Sequence, residues 1–250
     1  MKLEFKFKSF VILSICFILF TAIGTVSHEY GHVIAAKAFG HSTVLHYGSM
    51  NYYPAGYLND KDYQELINLK KKYVGVEKKN WKELDLTEFK NRSQILNNKY
   101  GTEWKKGSRW IRVGGPLQTI LTGILGLVIL FFRKVQIRTN GLKPIDWLAV
   151  FLSLFWLRQV FNVLFSFGHE ILEPNGTWFS GDEYYLSKEL GIWSGSISIA
   201  TAIVGSLIVG AVIFVIVPKN LRLTFIASGI NGSLMGFILW MEILGPKLLP

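Results

Sequence analysis

Apolar positions in this chain gather into long runs, at 10–39, 113–132, 147–167, 196–217 and 223–244. They do not form the alternating or i, i+3, i+4 patterns of a soluble domain. About 20 apolar residues in helical form cross a ~30 Å hydrocarbon core, so the pattern predicts four to five membrane spans. Without water in the bilayer, backbone groups must pair within each span, which makes every span helical. The expected fold is an all-α, polytopic membrane helix bundle. The first run should end at Gly40, which suits a helix C-terminus.

Between the first and second runs the pattern changes twice. Residues 41–57 are rich in Gly, Tyr and β-branched types and predict short strands or a hairpin. Residues 58–106 are dense in Lys and Glu, and Leu66, Leu69, Tyr73, Leu84 and Phe89 are spaced for one or two amphipathic helices. Such a stretch is ordinarily a solvated face; a substrate-gating or partner-binding insert is the alternative. The chain thus divides into a first transmembrane helix (1–40), a polar, Lys-rich α/β insert (41–112) and the rest of the bundle (113–250), which includes an acidic loop at 168–192. The second span opens on Val113-Gly114-Gly115-Pro116-Leu117, with proline expected in the first helical turn and glycines allowing close backbone approach. Gly205, Gly210, Gly232 and Gly236 read as helix-packing positions.

Composition agrees with a bilayer protein: 50% of the 250 residues are hydrophobic and the mean hydropathy is +0.31. A net charge of +10 would point to nucleic acid in a soluble protein. Here many Lys and Arg flank the spans, where they meet lipid headgroups, and no nucleic-acid motif accompanies them. Cys16 is the only cysteine, so no intramolecular disulfide can form and a thiolate metal site is excluded. Lys2, Lys6 and Lys8 before an apolar stretch resemble a signal peptide. Cleavage near Gly24 would strand the residues that follow on a frayed terminus, so an uncleaved span is expected.

Those residues carry the chemistry. His28-Glu29-Tyr30-Gly31-His32 has the HExxH spacing, which sets two imidazoles one helical turn apart on one face, able to reach a single zinc ion. Glu29 is not needed for ligation and stands where a general base is needed to take a proton from water. The 22 steps from Phe10 to His32 cover roughly 33 Å, so the pair lies near one membrane face. Catalytic zinc needs a third protein ligand. The acidic loop offers Asp182, flanked by Gly181, as first choice, with Glu170 or His169 as alternatives. A helix N-cap would also explain Asp182. If the first three spans alternate direction, HEYGH, the Gly-Gly-Pro segment, Asn162 and the acidic loop meet at one face. His41 and His46 read as loop residues. The expected activity is peptide-bond hydrolysis in or beside a membrane span, on a membrane-protein or peptide substrate. Asn162 would contact substrate or the oxyanion. The alternative is a non-proteolytic metal-binding membrane protein: a transporter, sensor or inactive scaffold.

In order along the chain, HEYGH, Gly115-Pro116-Leu117-Gln118-Thr119, Asn162 and Asp182 resemble the segments of the site-2 protease family of intramembrane zinc metalloproteases. The likeness is to a small branch without a PDZ domain. Two departures stand out. Thr119 occupies the place where the family often has asparagine, and Asn162 and Asp182 are 20 residues apart (182 − 162) rather than a few. The resemblance implies zinc, an intramembrane protease activity and a cytosol-facing active site. The short-loop charges Lys2, Lys6, Lys8, Arg133, Lys134, Arg138, Lys143, Lys219 and Arg222 would instead make the catalytic face non-cytoplasmic under the positive-inside rule.

Overall fold

Helix α1 runs unbroken over Phe7–Ala38 and closes as expected at Gly40, whose φ is +82°. The Gly40 amide donates to Lys37 O and the His41 amide to Ala36 O, the paired bonds by which a left-handed glycine satisfies the last carbonyls of a helix. This computed structural model describes residues 4–174, 176 and 178–250; Lys2 of the basic N-terminus lies outside them.

The expected hairpin follows. Strands β1 (Ser42–Leu45) and β2 (Met50–Tyr53) pair antiparallel, with Ser42 opposite Tyr53 and Leu45 opposite Met50. Helices α2 (Lys61–Lys72) and α3 (Glu83–Lys105) form the insert. Asp60 caps α2 by accepting the Asp62 amide at 2.9 Å and also binds Lys99 and the Tyr100 hydroxyl of α3. The Lys99 ammonium holds its carboxyl below the usual range. Leu66, Leu69 and Leu96 are buried. Leu84, expected on the apolar face, is instead exposed in the first turn of α3, because the tip is closed by Tyr73, Trp81 and Phe89 in ring contact.

Helix α4 (Ser108–Asn140) begins five residues before the apolar run at 113. Pro116 therefore lies inside the helix and not in its first turn, which leaves the Arg112 carbonyl without its helical donor. The third span is two helices, α5 (Pro144–Ser153) and α6 (Leu157–Leu172), joined by a 3-10 turn at Leu154–Trp156. Helix α7 (Gly181–Glu189) stands in the acidic loop. Helix α8 (Ser196–Ala211) runs into a π-helical turn, and α9 (Arg222–Ile238) passes through another into α10 (Gly245–Leu248). Among the described residues, five helical segments are long and apolar enough to cross a membrane: Phe7–Ala38, Ser108–Asn140, Pro144–Leu172, Ser196–Ile216 and Arg222–Leu248. The molecule is an all-α bundle with a two-stranded β insert.

α1 packs against both α4 and α9, in each case through small residues. α9 runs parallel to α1: Thr224 accepts the Lys6 amide at 3.0 Å, and Ser228 donates to Phe10 O at 3.2 Å. A Cβ on Gly232 would stand 2.5 Å from Ser14 O, one on Gly236 2.9 Å from Ile18 Cα, and one on Gly205 2.7 Å from Trp156 O. These three glycines do serve packing. Gly210 does not: nothing lies within 4 Å of where its Cβ would be. Phe17 meets Phe151 and Phe225 edge-on in the core.

Candidate metal centre

The crossing of α1 and α4 is made backbone to backbone. A Cβ on Gly31 would fall 2.4 Å from Gly114 O, and one on Gly114 2.5 Å from Gly31 O. That approach lays one turn of α4 against the face of α1 carrying His28 and His32, both buried. A Cβ on Gly115 would stand 2.3 Å from His32 Nε2 and 2.5 Å from His28 Nε2. The missing side chain of Gly115 thus leaves open the space between the two imidazoles.

The third group comes from α7. Gly181, at φ +81°, turns the chain in the left-handed region that glycine alone enters freely, and Asp182 follows in the first turn of the helix. Ser180 is the N-cap residue, so capping does not account for Asp182. Its Oδ2 lies 3.2 Å from His28 Nε2 and 3.2 Å from His32 Nε2, and the two Nε2 atoms are 3.3 Å apart. Ligands bound tetrahedrally at zinc distances of ~2.0–2.1 Å are separated by about 3.3 Å, so the three atoms form one face of such a tetrahedron.

Hydrogen bonding behind the rings assigns their tautomers. His32 Nδ1 lies 2.6 Å from the Ile111 carbonyl, which only accepts. His28 Nδ1 lies 2.9 Å from Thr119 Oγ1, whose own proton goes to Gly115 O. The Gly115 amide also points at His32 Nδ1 at 3.3 Å, but the much shorter contact to a carbonyl that can only accept places the proton on Nδ1, so both Nδ1 atoms donate and both Nε2 atoms present lone pairs. Two imidazole nitrogens and a carboxylate oxygen converge, a donor set that could hold a cation. Burial pushes the neighbouring Glu183 carboxyl up.

Glu29 is buried and, with His28, His32, Asp182, Arg158 and Arg112, lines a cavity of about 300 Å³. The hairpin turn borders it through Gly48, Ser49 and Met50. The turn is held from outside, the Tyr47 amide donating to Leu249 O and Trp240 Nε1 to Tyr47 O. Asn162 does not line this cavity. It faces a second, phenylalanine-rich cavity of about 380 Å³, which Arg158 and Gly48 also border. The alternative ligands lie elsewhere: Glu170 accepts the Gly176 amide at 2.7 Å, and His169 is exposed beside Glu173. His41 bonds the Lys106 carbonyl and His46 that of Pro250.

Sequence reasoning missed Arg158, although a cation inside an apolar run signals function in a membrane helix. It also missed the parts played by Thr119 and the Ile111 carbonyl, which emerge only when α4 is laid against α1. No family model, curated protein or solved structure matches this chain.

Proposed function

We propose that this chain is a multi-pass integral membrane zinc metalloprotease of site-2 protease type, hydrolysing peptide bonds in or near transmembrane segments of membrane proteins. One observation carries the reading: three acceptor atoms at tetrahedral spacing, with a glutamate that is not among them in the same cavity. A relay or a structural polar contact would need no such convergence of lone pairs. His28, His32 and Asp182 would hold the ion. Bound zinc supplies Lewis acidity, polarising a carbonyl and making water acidic enough to attack near pH ~7.

Glu29 takes the proton of the attacking water and returns it to the leaving nitrogen. Thr119 and the Ile111 carbonyl fix the imidazoles against rotation. A helical substrate has to unwind to present its peptide bond, so spans containing Gly or Pro are the favoured targets. The substrate side comprises membrane proteins and the bilayer itself, with no nucleic acid.

The test joins metal content to cleavage. Detergent-purified wild type should carry about one zinc per chain, His28→Ala none, and Glu29→Gln the full amount. Mass spectrometry of native membranes should find new N-termini within apolar segments with wild type and not with Glu29→Gln. No zinc in folded wild type, even after reconstitution, refutes the reading. Zinc with a cellular role indifferent to Glu29→Gln moves the protein to the non-proteolytic class.

A further inference from the structure

We infer that Arg158 is a further catalytic residue of this site, its guanidinium binding the scissile carbonyl oxygen as that oxygen gains negative charge. The inference rests on the hydrolytic reading above. Arg158 sits on helix α6 within the apolar segment Pro144–Leu172, where a cation is costly to place and is kept for a function. Its side chain is 29% exposed, and it lines both the metal cavity and the phenylalanine-rich cavity beside it. It is the charged group at the junction of the two.

Its hydrogen-bonding capacity is largely unspent. The nearest recorded carboxylate oxygen, Glu29 Oε1, lies 3.9 Å from Nη2, beyond hydrogen-bond range. Its Nε is buried and has no partner among the described residues. Other arginines are engaged: Arg92 binds Asp62 and Glu88 at 2.8 Å each, Arg133 binds Asp146 and Arg112 binds Glu189. Glu29, Glu183 and Asp182 are its charged neighbours, and it closes on none of them to hydrogen-bond distance. The gap leaves donors free for a substrate atom.

The movement of charge explains the placement. As the water oxygen bonds to the peptide carbon, the C=O π pair moves onto oxygen and the water proton passes to Glu29. Negative charge thus leaves Glu29 and appears on the substrate oxygen. Arg158 lies beside Glu29 and faces the cavity, so that charge remains next to a cation throughout. When C=O re-forms, the C–N bond breaks, Glu29 delivers its proton to the nitrogen, and the products are an acid and an amine, with one water consumed. Asn162, one turn further along α6, borders the phenylalanine-rich cavity and not the metal cavity, so the oxyanion role suits Arg158 better.

Two zinc-directed probes test this. One is a phosphinic peptide flanked by phenylalanine side chains, whose second oxygen mimics the charged carbonyl oxygen. The other is a thiol peptide with the same side chains and no such oxygen. In Arg158→Met, zinc content should stay at one per chain and phosphinate affinity should fall by about 10²-fold, as for loss of an oxyanion donor. Thiol affinity should change by no more than about threefold, since its contact is with the ion. Arg158→Lys keeps the charge but not the fork and should fall between. Loss of zinc, or equal weakening of both probes, makes Arg158 structural and overturns the inference. Phosphinate binding indifferent to Arg158 in zinc-loaded protein overturns the inference alone. Folded wild type without zinc overturns the hydrolytic reading as well.

Discussion

Replacing Gly115 by alanine should empty the metal centre while leaving the fold in place. The new Cβ would stand 2.3 Å from His32 Nε2 and 2.5 Å from His28 Nε2. Non-bonded carbon and nitrogen settle at roughly 3.5 Å, so each ring would have to withdraw by about 1 Å. Metal–ligand distances tolerate only about ±0.2 Å. Both imidazoles cannot retreat that far and still share an ion with Asp182. The affinity lost should exceed the ~10–100-fold that removing a hydrogen-bonding partner behind a ligand costs. The helix itself should not suffer, because alanine is a better helix former than glycine by about 1 kcal/mol. Metal content of purified Gly115→Ala by mass spectrometry, beside its thermal unfolding in detergent, is the assay. One zinc per chain at wild-type affinity would mean that these three side chains are not the site.

Three further outcomes follow from other parts of the structure. Thr119→Val removes the acceptor for His28 Nδ1 and should weaken zinc ~10–100-fold in a chelator competition without unfolding the chain. Asp60→Asn keeps the helix cap but loses the charge that binds Lys99. Because the folded carboxyl lies below its unfolded value of ~3.9, its stabilisation is full above that value and fades as pH falls through the folded one. Hydrogen exchange across α2 and α3 in the full chain should therefore rise below about pH 4 in wild type, and be higher but less pH-dependent in the variant. Gly232→Leu forces α9 from α1 at Ser14 and should cost about 1–3 kcal/mol, as overpacking does, read as a lower unfolding temperature with zinc still bound by the folded fraction.

The five helices long and apolar enough to span a membrane were legible, as four to five spans, because a bilayer accepts only long apolar helices, and the hairpin because Gly and Tyr mark its turn and strands. The meeting of the two HEYGH imidazoles was legible, since an i, i+4 pair needs nothing beyond helical geometry. Asp182 was legible through Gly181, whose φ of +81° is the turn that a flanking glycine permits. The remainder depends on which surfaces meet. Gly114 and Gly115 were recognised as a place for close approach, but not that Gly31 is the partner or that the clearance serves the imidazoles. Pro116 was misplaced because α4 starts at Ser108, among polar residues that hydropathy does not count as span. Leu84 was expected on an apolar face because its spacing fits one, but the rings of Tyr73, Trp81 and Phe89 close that end of the insert first.

The two sides of α1 divide the work. Against α9 the small residues recur four apart, Ser228, Gly232 and Gly236, each meeting the α1 backbone or Cβ atoms in its N-terminal two-thirds. That contact involves no residue of the metal centre. Against α4 the close approach comes later along α1, at Gly31, between the two histidines. Helices that meet only through long side chains keep a spacing that rotamer changes can adjust. Helices that meet through glycine backbone have no such slack, so the distance from α4 to the His28–His32 face is set by main-chain contact. Tetrahedral spacing among atoms from two elements, α1 and α7, with α4 fixing the rings from behind, requires that rigidity, because an error of a few tenths of an ångström already exceeds what a metal tolerates. The Gly31–Gly114 crossing is therefore part of the proposed metal site, whereas the α9 stripe serves packing alone, although both read alike as small residues in apolar helices.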